Sequence, residues 1–161
     1  MAKARDIPDL EHAASFREAA SMAVEVRAEE VFEHASGVLD TSDIERVHAM
    51  RVATRRLRAV MEIFAPAFPK KEHRALLKEV KALADALGER RDRDVAIEAM
   101  TKIGAALTGE DRRGIEHLVG ELRDEQGGAN GELAAALQEI ESNDLRGRLR
   151  ALAAAAAAAA S

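Results

Sequence analysis

Proline occurs at three positions only, Pro8, Pro66 and Pro69, and the stretch from Lys70 to Ser161 contains none. A long run without proline, rich in Ala, Leu, Glu and Arg and poor in β-branched residues, favours the α-helix over every other regular structure. The expected fold class is therefore all-α, with prolines and glycines as punctuation. A helix is expected from Asp9 to about Ser36, where Ala13, Phe16, Ala20, Ala23, Val24, Val31 and Ala35 recur at helical spacing and Gly37 stops the run. Thr41, Ser42 and Asp43 are good N-cap residues for a second helix, which runs to about Phe64 and is ended by Pro66. A third begins near Pro69 and is expected to stop at Gly88. A fourth, capped by Asp92, runs to Gly104 or Gly109. The fifth starts near Gly109 and Glu110 and crosses Gly127, Gly128 and Gly131 as one long helix with a soft point, since each glycine costs roughly 1 kcal/mol relative to Ala. Ser142 or Asn143 is expected to cap a last helix that enters the eight alanines 153–160. About six helices of these lengths suit an antiparallel helical bundle with a four-helix-bundle-like core. Residues 9–150 are expected to form a single helical domain, and residues 151–161 an alanine-rich C-terminal helical tail with no assigned function.

Charge is distributed unevenly along the chain. In all, 24 Lys and Arg stand against 29 Asp and Glu, a net charge of −5. Residues 46–94 nevertheless hold 13 of the bases and only seven of the acids, so this segment is +6 and the remainder −11. Clustered cations create a local field whatever the overall sign. On a helical wheel of about 100° per residue with His48 at the origin, Arg51, Arg55 and Arg58 fall at roughly 300°, 340° and 280°. They form one stripe, with Arg56 on its flank. Met50, Ala53, Leu57, Val60, Met61 and Phe64 gather on the opposite side as a core face. The third helix repeats the pattern, with Lys70, Arg74, Lys78 and Lys81 on one face and Leu76, Val80, Leu83 and Leu87 on the other. If the two helices pack antiparallel through the Pro66–Pro69 turn, both stripes border a common groove, and Arg90 and Arg91 sit just beyond Gly88. A solvated helix face normally mixes signs, yet no acid lies between Arg46 and Arg58. Arginines held together without an internal partner make physical sense when a polyanion supplies the missing charge, and their planar forks suit phosphate oxygens.

Other chemistries are excluded or unsupported. The chain has no cysteine, so disulfides, thiolate metal sites and cysteine nucleophiles are ruled out. Its only aromatics are Phe16, Phe32, Phe64 and Phe68, too few for stacking single-stranded bases. His12, His34, His73 and His117 are scattered without metal-ligand spacing, so neither a metal nor a cofactor is expected. Asp92 and Asp94 are expected to serve as an N-cap and a first-turn acid that orients an arginine, not as catalytic carboxylates. No run of 18 apolar residues occurs and the first residues lack a signal-peptide pattern, so a cytoplasmic protein without a membrane partner is expected.

Two blocks carry a family resemblance. His48-Ala49-Met50-Arg51-Val52-Ala53-Thr54-Arg55-Arg56-Leu57-Arg58 resembles the HxxRVxxRRLR signature of the CHAD family, the conserved histidine α-helical domain. Leu87-Gly88-Glu89-Arg90-Arg91-Asp92-Arg93-Asp94-Val95 is similar to that family's LGxxRDxDV block at the expected distance downstream. A weaker likeness extends from Phe16 to about Leu152. The resemblance implies a helical domain without catalytic activity that binds inorganic polyphosphate, or another phosphate-rich polyanion, and is found at polyphosphate granules. Carried over residue by residue, His48, Arg51, Arg55, Arg56 and Arg58 match the first block, and Asp92, Asp94 and Arg91 the second; binding is expected of the five residues of the first block and of Arg91. Arg90, beside it, and Arg74, Lys78 and Lys81 on the third helix complete the expected site. Full family members have two similar halves around a basic channel, whereas this chain resembles the N-terminal half. A homodimer is therefore expected to rebuild the two-half channel. Two alternatives belong to other classes. A polyphosphate or triphosphate hydrolase accessory needs acids that hold Mg²⁺ near the phosphates, but the ExExK signature of the accompanying triphosphatases is missing and no acidic cluster is expected to face the second helix. A module for nucleic acid or an acidic partner needs only the cations.

Overall fold

The computed structural model describes residues 3–159, and among these it contains five α-helices and no strand. They are α1 (Phe16–Glu33), α2 (Ile44–Ile63), α3 (Lys70–Ala105), α4 (Gly109–Ser142) and α5 (Leu145–Ala159), with short 3₁₀ turns at Leu10–His12 and Ala65–Ala67. The all-α expectation holds, with five helices in place of about six.

The first helix starts seven residues later than the apolar spacing suggested. Ser15 accepts a hydrogen bond from the Glu18 amide at 3.1 Å, while the Glu18 carboxylate accepts one from the Ala14 amide at 2.7 Å. This reciprocal cap fixes the start at Phe16. At the other end Gly37 adopts φ +70°, and a Cβ there would lie 2.8 Å from the Arg46 guanidinium. Arg46 lies across this turn, donating to the Ser36 carbonyl at 3.2 Å and to Asp43 at 2.9 Å. The turn from α1 into α2 is thus set by one left-handed residue and one arginine.

Helices α2 and α3 are antiparallel. Near the Pro66–Pro69 turn, the His73 ring bonds the Met61 carbonyl through Nε2 at 2.7 Å. At the far end, Arg91 donates to the Ile44 carbonyl at 3.3 Å. The core is a single cluster drawn from Val24 and Val31 of α1, Met50, Leu57 and Met61 of α2, Val80, Leu83 and Leu87 of α3, Leu133 of α4, and Leu145, Leu149 and Leu152 of α5. Each fully buried Leu or Met contributes roughly 1.5–3 kcal/mol by leaving water.

Gly88 does not end α3, which passes straight through it, so the expected third and fourth helices are one helix of 36 residues. The buried positions explain why. His73, Leu76, Val80, Leu83, Leu87, Arg90 and Asp94 follow one another at alternating spacings of three and four, an unbroken inward stripe. Its last two members are charged, which conceals the stripe from a search for apolar residues. Asp92 consequently lies in a helix interior and caps nothing. Beyond Asp94, α3 pairs with the antiparallel first half of α4, and between Asp94 and Gln126 the one buried residue is Gly104, pressed against Ile115.

Helix α4 crosses Gly127, Gly128 and Gly131 without a break, as expected for one long helix. The last helix is capped not by Ser142 or Asn143 but by Asp144, whose carboxylate accepts from the Gly147 amide at 3.1 Å. A Cβ at position 147 would lie against that carboxylate, so glycine leaves room for the cap. Helix α5 runs continuously across residue 150, and Leu152, Ala153 and Ala156 pack into the core. Of the expected tail, Ala160 and Ser161 lie outside the described residues. Among the described residues, no helix is long and apolar enough to cross a membrane.

Candidate functional site, an arginine groove between two helices

The spacing of Arg51, Arg55 and Arg58 places them along one edge of α2, and all three line a groove of about 490 Å³ between α2 and α3. Its other wall is built by Ala84, Asp85, Gly88, Glu89 and Asp92 of α3. The core faces of both helices point away from this groove, because Leu57 and Met61 on one and Leu83 and Leu87 on the other are buried. The arginines are therefore presented by a rigid antiparallel pair.

The wall opposite the arginines corrects an expectation. An acidic cluster does face α2, since Asp85, Glu89 and Asp92 recur at spacings of four and three on the groove side of α3. Yet among the described residues neither Arg51 nor Arg55 forms an ion pair, with these acids or with any other. The groove holds the two signs apart and leaves the arginine donors free for an anion. At one end Glu62 closes the gap. Its carboxylate meets Arg58 Nε at 3.1 Å and Lys81 Nζ at 3.5 Å, so one acid ties a cation of each helix together. The hydrogen bond and charge of Arg58, and then Lys81, hold the Glu62 carboxyl below its ordinary value of 4.5.

The ten expected residues do not form one site. Arg51, Arg55 and Arg58 share the groove, and Lys81 reaches its end through Glu62. Arg74 and Lys78 lie in a separate hollow at the start of α3, together with Lys70 and Lys71. His48 is half-buried on α2 with its Nδ1 enclosed and unpartnered, and Arg56 is half-buried as well. Arg91 spends its guanidinium on the start of α2, at the Ile44 carbonyl and 3.8 Å from Glu45. The two stripes thus meet only near Glu62, and most of the groove sets arginines against carboxylates.

Arg90 departs furthest from expectation. It is fully buried, with Nε donating to Asp94 Oδ1 at 2.9 Å and a second nitrogen donating to Asn130 Oδ1. Asp94 is buried too and also accepts from Gln126 Nε2 at 2.6 Å, while Asn130 Nδ2 donates to the Leu39 carbonyl at 3.1 Å. The second sequence block thus contributes a polar lock joining α3, α4 and the α1–α2 connection. Asp94 does orient an arginine, as the sequence suggested, but the arginine lies in the core. The 3–4 stripe running from His73 to Asp94 was the available signal, had charged residues been counted in it.

Among the described residues, no group of three or more His, Asp or Glu could hold a metal ion. The family model described as CHAD domain matches residues 23–161 of this chain. No curated protein and no solved structure matches it.

Proposed function

The chain belongs to the CHAD domain family, and from that premise we propose that it binds inorganic polyphosphate through the arginine groove of α2 and does so without catalysis. The family binds polyphosphate-related ligands and is in general non-catalytic. The observation that carries the proposal is the pair Arg51 and Arg55, two guanidinium groups lining a groove without a carboxylate partner. Planar arginine forks bond phosphate oxygens bidentately, and each contact displaces counterions, so the affinity falls steeply as salt rises. A ligand without bases also agrees with the absence of Trp and Tyr. Binding of this kind would hold the protein at polyphosphate granules. A second copy of the chain, placed about a two-fold axis, would add a second arginine groove and so complete a two-half channel.

The acids across the groove raise one competing reading, a phosphohydrolase in which a carboxylate of Asp85, Glu89 or Asp92 shares Mg²⁺ with the phosphates, although the three do not converge as a metal site. Incubation with long-chain polyphosphate and Mg²⁺ separates the two, because the binding reading expects no release of phosphate. The direct test of the groove is the triple change Arg51→Glu, Arg55→Glu and Arg58→Glu. It is expected to abolish polyphosphate binding while the helical circular dichroism persists, since all three side chains lie outside the core. Retained binding would place the site elsewhere. Solution mass tests the dimer, which requires twice the 17.4 kDa of one chain.

A further inference from the structure

The arginine groove carries as many acids as arginines. The hollow at the start of α3 does not. It has a volume of about 450 Å³ and is lined by Lys70, Lys71, Arg74, Ala75 and Lys78, four cations with no acid among them. Among the described residues none of the four makes an ion pair or a side-chain hydrogen bond, and all four are exposed. Four like charges held this close repel one another unless an anion neutralises them. Lys70, Arg74 and Lys78 stand on one helix face at intervals of four, and Lys71 widens the hollow on its flank. The positive end of the 36-residue α3 lies beneath them, where Pro69 supplies no side-chain cap to the first-turn amides.

The hollow and the groove share no lining residue. They are nevertheless in line, because α2 and α3 are antiparallel and the Arg58–Glu62–Lys81 contact lies between them. At 1.5 Å per residue, Arg51 to Arg58 covers about 10 Å and Lys81 back to Lys70 about 16 Å, a track on the order of 25 Å. Glu62 interrupts this track with a negative charge, but Arg58 and Lys81 already neutralise it.

We infer that Lys70, Lys71, Arg74 and Lys78 form a second phosphate-binding station, and that a polyphosphate chain long enough to reach from the arginine groove occupies both. This rests on the polyphosphate reading of the groove and adds chain-length selection to it. A short chain such as tripolyphosphate engages one station at a time. A chain that spans both binds the second station intramolecularly, and its affinity rises through effective concentration without any new kind of contact.

The experiment compares tripolyphosphate with long-chain polyphosphate, titrated into the unaltered protein and into the variant Lys70→Gln, Lys71→Gln, Arg74→Gln and Lys78→Gln. The quantity read is the ratio of the two affinities, at several salt concentrations. In the variant the preference for the long chain is expected to fall by about tenfold or more. The slope of log affinity against log salt for the long chain is expected to fall by about three, at roughly 0.7 per lost contact. The four side chains are exposed and the variant removes their mutual repulsion, so the thermal midpoint should not fall. An unaltered ratio overturns the second station and leaves the arginine groove standing. If the unaltered protein binds neither ligand, the polyphosphate reading fails and the second station with it.

Discussion

Arg90 Nε donates to Asp94 Oδ1 at 2.9 Å with both side chains wholly removed from solvent, at the point where α3 passes from the core into its pairing with the first half of α4. Removing one member of a buried pair leaves the other charged and unpaired, at a cost of about 3–5 kcal/mol. Arg90→Ala and Asp94→Ala are each expected to lower stability by that amount in urea unfolding. The double change Arg90→Met and Asp94→Leu should recover part of the loss, because apolar groups replace the ion pair at little cost, but not all of it, because Gln126 and Asn130 lose their partners. If the double variant is as unstable as the single ones, packing around the pair matters more than its charge.

The carboxylates of Asp85, Glu89 and Asp92 face Arg51, Arg55 and Arg58 across the groove and would oppose a polyanion bound there. One unit charge acting across about 8 Å of water contributes about 0.5 kcal/mol. Neutralising all three, as Asp85→Asn, Glu89→Gln and Asp92→Asn, should tighten polyphosphate binding roughly threefold to tenfold at low salt, and less as salt screens the groove. Calorimetric titration at two ionic strengths measures this. Weaker binding would show instead that the acids take part in holding the ligand.

Gly88 lies mid-helix, lines the groove, and would meet nothing within 4 Å if given a Cβ. The backbone has no need of glycine there. Gly88→Ala should stabilise the protein by about 0.5–1 kcal/mol, a rise of a few degrees in Tm. Gly88→Phe should instead fill the groove and weaken polyphosphate binding without unfolding the helix. Equal affinity for Gly88→Phe would mean that the ligand does not enter the groove at this level.

Glu29 of α1 is hydrogen-bonded by Arg146 and lies 2.8 Å from Arg150, both on α5. The Arg146 hydrogen bond first, with the charges of both arginines, holds the Glu29 carboxyl below its ordinary 4.5 against the opposing effect of burial. A depressed folded value stabilises the protein above the ordinary value and loses that contribution as pH falls through the depressed one. Between about pH 5 and pH 3, Tm should therefore fall less steeply in Glu29→Gln than in the unaltered protein. Parallel curves would remove Glu29 from the account of acid stability.

Much of this architecture is written locally. The stripe of Arg51, Arg55 and Arg58, the apolar faces around Leu57 and Leu83, and the Pro66–Pro69 turn all follow from spacings within a few helical turns, and the structure keeps them. The reciprocal cap of Ser15 and Glu18 was equally local and could have been read from its S-x-x-E pattern. Gly88 and Gly109 show the limit of such signals. Both are glycines at a possible helix boundary, yet Gly109 takes φ +62° where α4 begins, whereas Gly88 is helical throughout because the stripe from His73 to Asp94 packs on both sides of it. Charge patterning alone could not say which cations stay free, because that depends on what each helix meets. Arg90 finds Asp94 on its own helix and Asn130 on α4, residue pairs separated by four and by 40 positions. Arg51 and Arg55 find a groove. Periodicity fixes the phase of each helix about its axis, and so determined the helices, their buried faces and the basic stripe. Only tertiary packing sets the register and distance between helices, and it alone decided which arginines are enclosed in the core, which are tied to an acid, and which line the groove without an ion-pair partner.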